Sequence, residues 1–334
     1  MAADVLIVAG GTGGHVYPAM ALALYLIKED KKVIFLTDRR GIIYLKPHLD
    51  VLHPVVLPLD RRGAGVGGLL KLAYQVIQSF FRRRTLYVHE QNAVLGKVNR
   101  LLSPFLQKIF TSTKKVAQVP KGARSKIEFV GMPVRGDIAA LSKDIYKKPE
   151  RIINLLIVGG SQGAQSFSHV IPKAIGLLSE DLQKRLCITH QVRKEDHNHA
   201  LALYEQQAKQ VKWLTLVPFV EDMAASLKKT HLVISRSGAS TVAEISAAGR
   251  PAIMIPYPFA TDDHQRANAL EVTAIGGGWL LPQQDFTPLN LGTLLGELLA
   301  EKDGFEKLLV AAQCVKGGYK KEAIKALAQK LILV

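Results

Sequence analysis

The sequence predicts an α/β protein of two doubly wound domains, each a parallel sheet covered by helices. Three observations predict it. Short apolar runs alternate with helical patterns along most of the chain. The series starts twice, each time with an apolar run that ends in glycines, once before Gly10 and once before Gly159. The 334 residues are also more than one hydrophobic core usually organises.

In order, residues 4–9 read as a strand, 17–28 as a helix and 33–37 as a second strand. Residues 55–58, 86–89 and 108–112 continue the series, and 128–130 is a weaker member. Runs this short without alternation read as buried parallel strands. Residues 136–150 are polar, end in Lys147-Lys148-Pro149-Glu150, and read as a linker between a first domain (1–135) and a second (151–317). The second series is 154–158, 186–190, 213–218, 232–235 and 252–256. From about residue 289 the pattern is helical, and residues 318–334 read as a last helix able to cross back to the first domain.

Hydrophobic residues at 48% and charged residues at 22% exclude a disordered chain. Two cysteines, Cys187 and Cys314, cannot build a disulfide framework or a cysteine-rich zinc site. No signal peptide is expected from Met1-Ala2-Ala3-Asp4, and no apolar run approaches a membrane span. The formal charge is +16, and residues 1–150 carry 24 basic against 11 acidic side chains. A basic half implies an anionic partner: nucleic acid, anionic lipid or phosphate.

Two glycine turns follow strands and open helices: Gly10-Gly11-Thr12-Gly13-Gly14-His15 and Gly159-Gly160-Ser161-Gln162-Gly163-Ala164. Such turns let backbone approach a phosphate and aim helix amides at it; either could also be a tight turn that binds nothing. Val16 stands where a dinucleotide reader needs glycine, and no ribose acid is matched, so a nicotinamide oxidoreductase is disfavoured; no Gly-Lys-Ser/Thr suggests ATP. A third cluster, Ser235-Arg236-Ser237-Gly238-Ala239-Ser240-Thr241-Val242-Ala243-Glu244, also opens a helix. Glu244, about one turn in, can accept two ribose hydroxyls, or it can form a capping box with Ser240 or Thr241.

Taken in order, the 10–19 turn, His89-Glu90-Gln91-Asn92, Val130-Gly131-Met132-Pro133-Val134-Arg135, the 159–164 turn, the 235–244 cluster and Asp263-His264-Gln265-Arg266-Ala267-Asn268-Ala269 resemble the MurG family. These are UDP-N-acetylglucosamine:N-acetylmuramyl-(pentapeptide) pyrophosphoryl-undecaprenol N-acetylglucosamine transferases. The resemblance runs from residue 4 to about residue 330. It implies the GT-B fold, two Rossmann-like domains with the active site in the cleft. It implies inverting transfer of N-acetylglucosamine from UDP to the muramyl 4-hydroxyl of lipid I, giving lipid II, at the cytoplasmic face of the bacterial inner membrane. The partners are then UDP-N-acetylglucosamine, lipid I and an anionic membrane surface, and not nucleic acid.

Carried over residue by residue, the resemblance puts the donor on the second domain. Ser161 would meet the nucleotide and Val220 the uracil. Ala239, Ser240, Thr241, Val242 and Ala243 would cradle the diphosphate, and Glu244 would bind the ribose. Gln265, with His264, would contact the sugar, and Arg135 the nucleotide. From the first domain, Thr12, Gly13, Gly14 and Asn92 would face sugar and acceptor. His15 is the expected general base, since a neutral imidazole can take a proton near pH 7. Glu90 is its rival, and His15 could instead only orient the acceptor diphosphate. No Asp-x-Asp is present and neither metal nor cofactor is expected; helix amides would stabilise the leaving UDP. His197 and His199 read as a solvated helix start.

Leu69, Leu70, Ala73, Ile77, Phe80 and Phe81 fall near helical spacing between Arg61-Arg62 and Arg82-Arg83-Arg84. That stripe suits either a core-facing helix or a peripheral contact with an anionic bilayer, and the lipid acceptor favours the latter. The resemblance also leaves a gap. It places a further strand, glycine loop and helix before His89, of on the order of 30 residues, but Arg84 runs directly into Thr85. The unit is either lacking or left out of the sequence as written; the latter would separate the Cα atoms of Arg84 and Thr85 well beyond ~3.8 Å. Two rivals remain open: another UDP-sugar enzyme of the same fold, such as a glycolipid synthase or an epimerase, and a non-catalytic basic binder of nucleic acid or membrane.

Overall fold

The structure, a computed structural model, describes residues 4–57, 85–160 and 164–332. It divides into two compact units, Met1–Arg135 with Glu322–Val334, and Gly136–Lys321. The 69–84 stripe, the Arg84–Thr85 junction and Ser161 lie outside the described residues.

The first unit contains β1 (Val5–Val8), α1 (Gly13–Lys28), β2 (Val33–Asp38), α2 (Leu49–Leu52), β3 (Val55–Leu57), β4 (Tyr87–Glu90), α3 (Lys97–Leu102), β5 (Lys108–Thr111) and β6 (Ile127–Phe129). Among the described residues two parallel three-stranded sheets form, ordered β1-β2-β3 and β4-β5-β6. Val5 stands opposite Val33, Leu36 opposite Val55 and Tyr87 opposite Lys108. This is the winding of a doubly wound sheet with its central β1–β4 pairing absent among the described residues. Both sheets nevertheless close on one core. Ile7, Val16, Leu26 and Phe35 meet Phe110 and Val130 there, together with Leu327 and Ala328 of the last helix.

One face of the β1–β2 sheet is exposed among the described residues. Leu6 is 49% and Val8 66% exposed, where parallel strands were expected to be buried on both faces. Leu6 and Val8 lie on the face opposite buried Ile7, and Ile34, beside Leu6 on β2, is 42% exposed there too.

The second unit contains α4 (Gly136–Ala140), β7 (Ile153–Val158), α5 (Gln165–Gly176), α6 (Glu180–Gln183), β8 (Leu186–Gln191), α7 (His197–Gln207), β9 (Trp213–Val217), α8 (Met223–Lys229), β10 (Leu232–Ser235), α9 (Ala239–Ala248), β11 (Ala252–Met254), α10 (His264–Thr273), β12 (Gly278–Leu280), α11 (Pro288–Leu298) and α12 (Asp303–Gly318). Its six strands are all parallel, in the order β12-β11-β10-β7-β8-β9. Read from β7, that is the order of a dinucleotide-binding sheet. Ile153, Leu155 and Ile157 of β7 supply the centre of the core, with Phe167 and Ile171 of α5 on one face.

Two features differ from the sequence expectation. Residues 136–150 are not a free linker. Ile138 and Tyr146 are buried, the Tyr146 hydroxyl donates to the His231 carbonyl (3.0 Å), and the segment belongs to the second unit. Strand β12 was not legible, because it is three residues long, follows two glycines and pairs only with β11. The chain then returns to the first unit in α13 (Ala323–Ile332), where Lys330 Nζ lies 2.6 Å from the Glu128 carboxylate.

Candidate active site

In the second unit, β7 and β10 are the central pair, with Val158 opposite Ser235. Connections leave them in opposite directions. Their carboxyl ends therefore form the switch point at which open α/β sheets hold ligands. The end of β7 and the cluster after β10 are brought together there, and the Arg236 amide donates to the Val158 carbonyl at 3.3 Å. Helix α9 starts with Gly238 as N-cap, makes no side-chain cap bond and has no acid in its first turn. The capping box with Ser240 or Thr241 does not form, since both lie inside the helix. The first-turn amides are left without a capping side chain, the condition for holding a phosphate. Glu244 sits half-buried, six residues into α9.

The loop after β11 is tied to the same place. Gln265 Oε1 accepts from the Tyr257 amide (2.9 Å), which leaves the carboxamide nitrogen for a ligand. The His264 Nδ1–H donates to the Thr261 carbonyl (2.7 Å). Asp262 and Asp263, just ahead of Gln265, both adopt left-handed backbone, with φ of 54° and 51°. Two such non-glycine residues in succession mark a conformation imposed by the surroundings. Val220 is buried in the loop after β9.

Arg236 escaped the sequence reading. It is 8% exposed. Its Nη1 donates to the Ile255 and Pro256 carbonyls (both 3.1 Å), its Nη2 donates to Ser166 Oγ (3.1 Å), and the guanidinium lies over Phe167 and Tyr257. Burial draws its pKa down to about 10, so it remains a cation at neutral pH. One side chain thus clasps the loops after β10 and β11 to the start of α5. Asn268 adds a bond from Nδ2 to the Ser237 carbonyl (3.1 Å).

In the first unit, α1 starts at Gly13 with Thr12 as an extended N-cap that makes no side-chain cap bond. His15 is the third residue of the helix and is exposed. The Arg135 guanidinium lies 5.0 Å from the Tyr17 ring, two residues further on. The sequence predicts no acid at the ribose position, but the structure places one there: Asp38 ends β2 and is 4% exposed. Its carboxylate is fully engaged by Gly11, Gly41 and Arg40, so it cannot serve a ribose.

Glu90, at the end of β4, is 4% exposed. Its carboxylate accepts from the Asn92 amide (3.0 Å), Asn92 Nδ2 (3.3 Å), the Gly96 amide (2.8 Å) and Asn99 Nδ2 (2.8 Å). Four donors leave it little capacity to take a proton from a substrate. It instead fixes the loop that carries Asn92. His89 Nε2–H donates to the Gly131 carbonyl (2.9 Å), and burial lowers its pKa.

Other groupings lie apart from these turns. His199 pairs with His169 (2.9 Å), a partner the sequence did not suggest. Among the described residues no group of three or more His, Cys, Asp or Glu side chains could hold a metal. A cavity of about 240 Å³ opens at the opposite, amino-terminal edge of the second sheet, lined by Asn154, Cys187, Thr189, Trp213 and Lys229 among others.

Comparison with known proteins agrees with this fold. The glycosyltransferase family 28 C-terminal domain matches residues 154–327, and the family 28 N-terminal domain matches residues 5–47. The UDP-N-acetylglucosamine--N-acetylmuramyl-(pentapeptide) pyrophosphoryl-undecaprenol N-acetylglucosamine transferase of Rhodospirillum rubrum is 40% identical, over 97% of this chain and 90% of its own length. The Gluconobacter oxydans transferase of the same name is 36% identical, over 92% and 93%. A crystal structure of Acinetobacter baumannii MurG superposes with a TM-score of 0.78 at 24% identity, covering 98% of both chains, and so agrees in fold. The R. rubrum alignment spans 357 positions, whereas 97% of 334 residues is about 324. On the order of thirty positions of that relative therefore have no counterpart here, the size of one strand–loop–helix unit. The chain belongs to glycosyltransferase family 28 and, within it, to the MurG family of UDP-N-acetylglucosamine-dependent transferases.

Proposed function

We propose that this protein moves N-acetylglucosamine from UDP-N-acetylglucosamine to the muramyl 4-hydroxyl of lipid I, forming lipid II with inversion at the anomeric carbon. The observation that carries the reading is the 40% identity to the R. rubrum transferase over nearly the whole chain. The switch point of the second unit supplies a matching donor site. There the uncapped start of α9, Ala239 to Ala243, takes the diphosphate and Glu244 the ribose. Val220 and Ser161 meet the nucleoside, Gln265 the sugar, and Arg135 the nucleotide. Helix amides stabilise the charge on departing UDP as the glycosidic oxygen leaves.

On the acceptor side, Thr12, Gly13, Gly14 and Asn92 line the approach. His15 takes the proton of the 4-hydroxyl as that oxygen attacks. Glu90 acts through the loop it holds rather than as a base. Supporting membrane contact, α3 has no buried residue, and Val98, Leu101 and Phe105 are each more than half exposed beside Lys97 and Arg100. Among the described residues no helix is long and apolar enough to cross a bilayer. A peripheral contact with the anionic cytoplasmic face of the inner membrane fits both facts.

The test is transfer of labelled N-acetylglucosamine to a short-chain lipid I analogue in detergent with EDTA, beside an acceptor-free control. Acceptor-dependent incorporation is expected, falling about 10²- to 10⁴-fold in kcat for His15→Ala. Tight UDP-N-acetylglucosamine binding without transfer would point to another acceptor. Neither binding nor transfer would remove the donor site altogether.

A further inference from the structure

We propose that Asp38 is a positioning residue for the transfer reaction, holding the first glycine turn, and through it His15, by way of the Gly11 and Gly41 amides. The proposal rests on the function read above.

Asp38 closes β2 beneath the turn. Oδ1 accepts from the Gly11 amide at 2.9 Å and from the Gly41 amide at 2.8 Å. Oδ2 accepts from Arg40 Nε at 2.9 Å and Nη2 at 2.7 Å. The fit leaves no room for side chains. A Cβ on Gly10 would come within 3.0 Å of Asp38 Cγ, and one on Gly41 would run into Thr37 Oγ1. Gly11 itself holds φ at +87°, which favours glycine. The Thr12 N-cap contributes no side-chain bond, so among the described residues Asp38 is the side chain that fixes this turn.

Two features suit it to an anionic substrate. Burial would raise the pKa of Asp38, but the Gly11 amide, Arg40 and the Gly41 amide together hold it below the usual carboxylate range. It is therefore ionised wherever the enzyme works. Its charge in turn is offset by Arg40, so the brace does not oppose a diphosphate near the start of α1. The turn continues directly into Thr12, Gly13, Gly14 and His15. Tilting it would displace the base from the attacking hydroxyl, and a shift of about 1 Å at such a group costs on the order of 10²-fold in rate.

The test compares wild type, Asp38→Ala and Asp38→Asn in full-length protein. It reads steady-state transfer, with acceptor and donor varied separately, and the direct binding of UDP-N-acetylglucosamine. Asp38→Ala is expected to lower acceptor kcat/KM about 30- to 100-fold while the donor Kd, set in the second unit, stays within twofold. Asp38→Asn keeps a carbonyl for both amides and should recover to within about fivefold of wild type. If Asp38→Ala does not fold, Asp38→Ser, which can keep one amide, is judged by the same criteria. A folded Asp38→Ala or Asp38→Ser with acceptor kcat/KM within threefold of wild type overturns the proposal. So does an equal loss of donor binding and of transfer, which would mark a general folding defect, or an Asp38→Asn as impaired as Asp38→Ala. Wild type that binds donor but transfers nothing to the acceptor overturns the reading of the reaction, and this role with it.

Discussion

At the scale of single residues, the two buried ionised groups that organise the candidate site, Asp38 and Arg236, were invisible in sequence. Each looks ordinary where it stands, one at the end of an apolar run and one between serines. Their most distant partners are 27 residues away for Asp38 and 70 away for Arg236, and only folding brings those within reach. Arg236 satisfies two carbonyls and a hydroxyl with a planar fork that lysine cannot reproduce. Arg236→Ala should therefore destabilise the second unit by about 2–4 kcal/mol and raise the donor Kd at least tenfold. Arg236→Lys should restore little of either. Urea unfolding and calorimetric titration with UDP-N-acetylglucosamine check both. A variant that loses stability but keeps its donor Kd would confine the residue to a structural role. The motif residues were legible for the opposite reason: His15, Glu90 and Glu244 lie within short stretches whose order carries the family pattern.

At the scale of elements, two histidines sit where β8 and β10 meet the core. The Tyr204 hydroxyl lies 3.1 Å from His190 Nδ1, and burial drives the His190 pKa down to about 3. His231 Nδ1 accepts from the Asn154 amide, and burial, with Arg250 nearby, lowers its pKa to about 4. Both are held neutral in the folded chain, whereas the unfolded chain protonates them near pH 6.5. The stability they allow is thus complete above that pH. It is lost as pH falls through the window down to about 4 for His231 and about 3 for His190. The slope is at most about 1.4 kcal/mol per pH unit for each histidine. Urea midpoints between pH 7.5 and 4.5 should fall accordingly. His190→Gln, whose carbonyl can still accept from Tyr204, should flatten the curve by one histidine's share. Parallel curves for wild type and variant would contradict this assignment.

At the scale of the whole molecule, each unit has its own core, and they differ in completeness. The second carries one continuous six-stranded sheet. Among the described residues the first carries two short sheets, with Leu6 and Val8 exposed on one face, a weaker arrangement for a parallel sheet. The first unit should therefore unfold at lower temperature. UDP-N-acetylglucosamine at 100 times its Kd should add about 2.7 kcal/mol, chiefly to the second unit, which carries the proposed donor residues other than Arg135. Hydrogen exchange resolves the two: slowed exchange is expected over β7 and α9 with donor bound, and no change over β1 and β2. Protection spread equally over both units would contradict a donor site built mainly on the second.

The sequence by itself determined the fold class, the two-fold repeat of glycine-turned βα series and the family, because these depend on local periodicity and on residues adjacent in the chain. It also raised the expectation of a missing unit before His89, since the place of such a unit is a matter of order. What it could not show depended on distance in the chain. The assignment of residues 136–150 to the second unit, the pairing of β12, the bond from the Gly11 amide to Asp38 and the Arg236 clasp are all contacts between remote segments. Tertiary structure decided them because a buried charge or a polar loop is stable only where partners from elsewhere in the chain satisfy it.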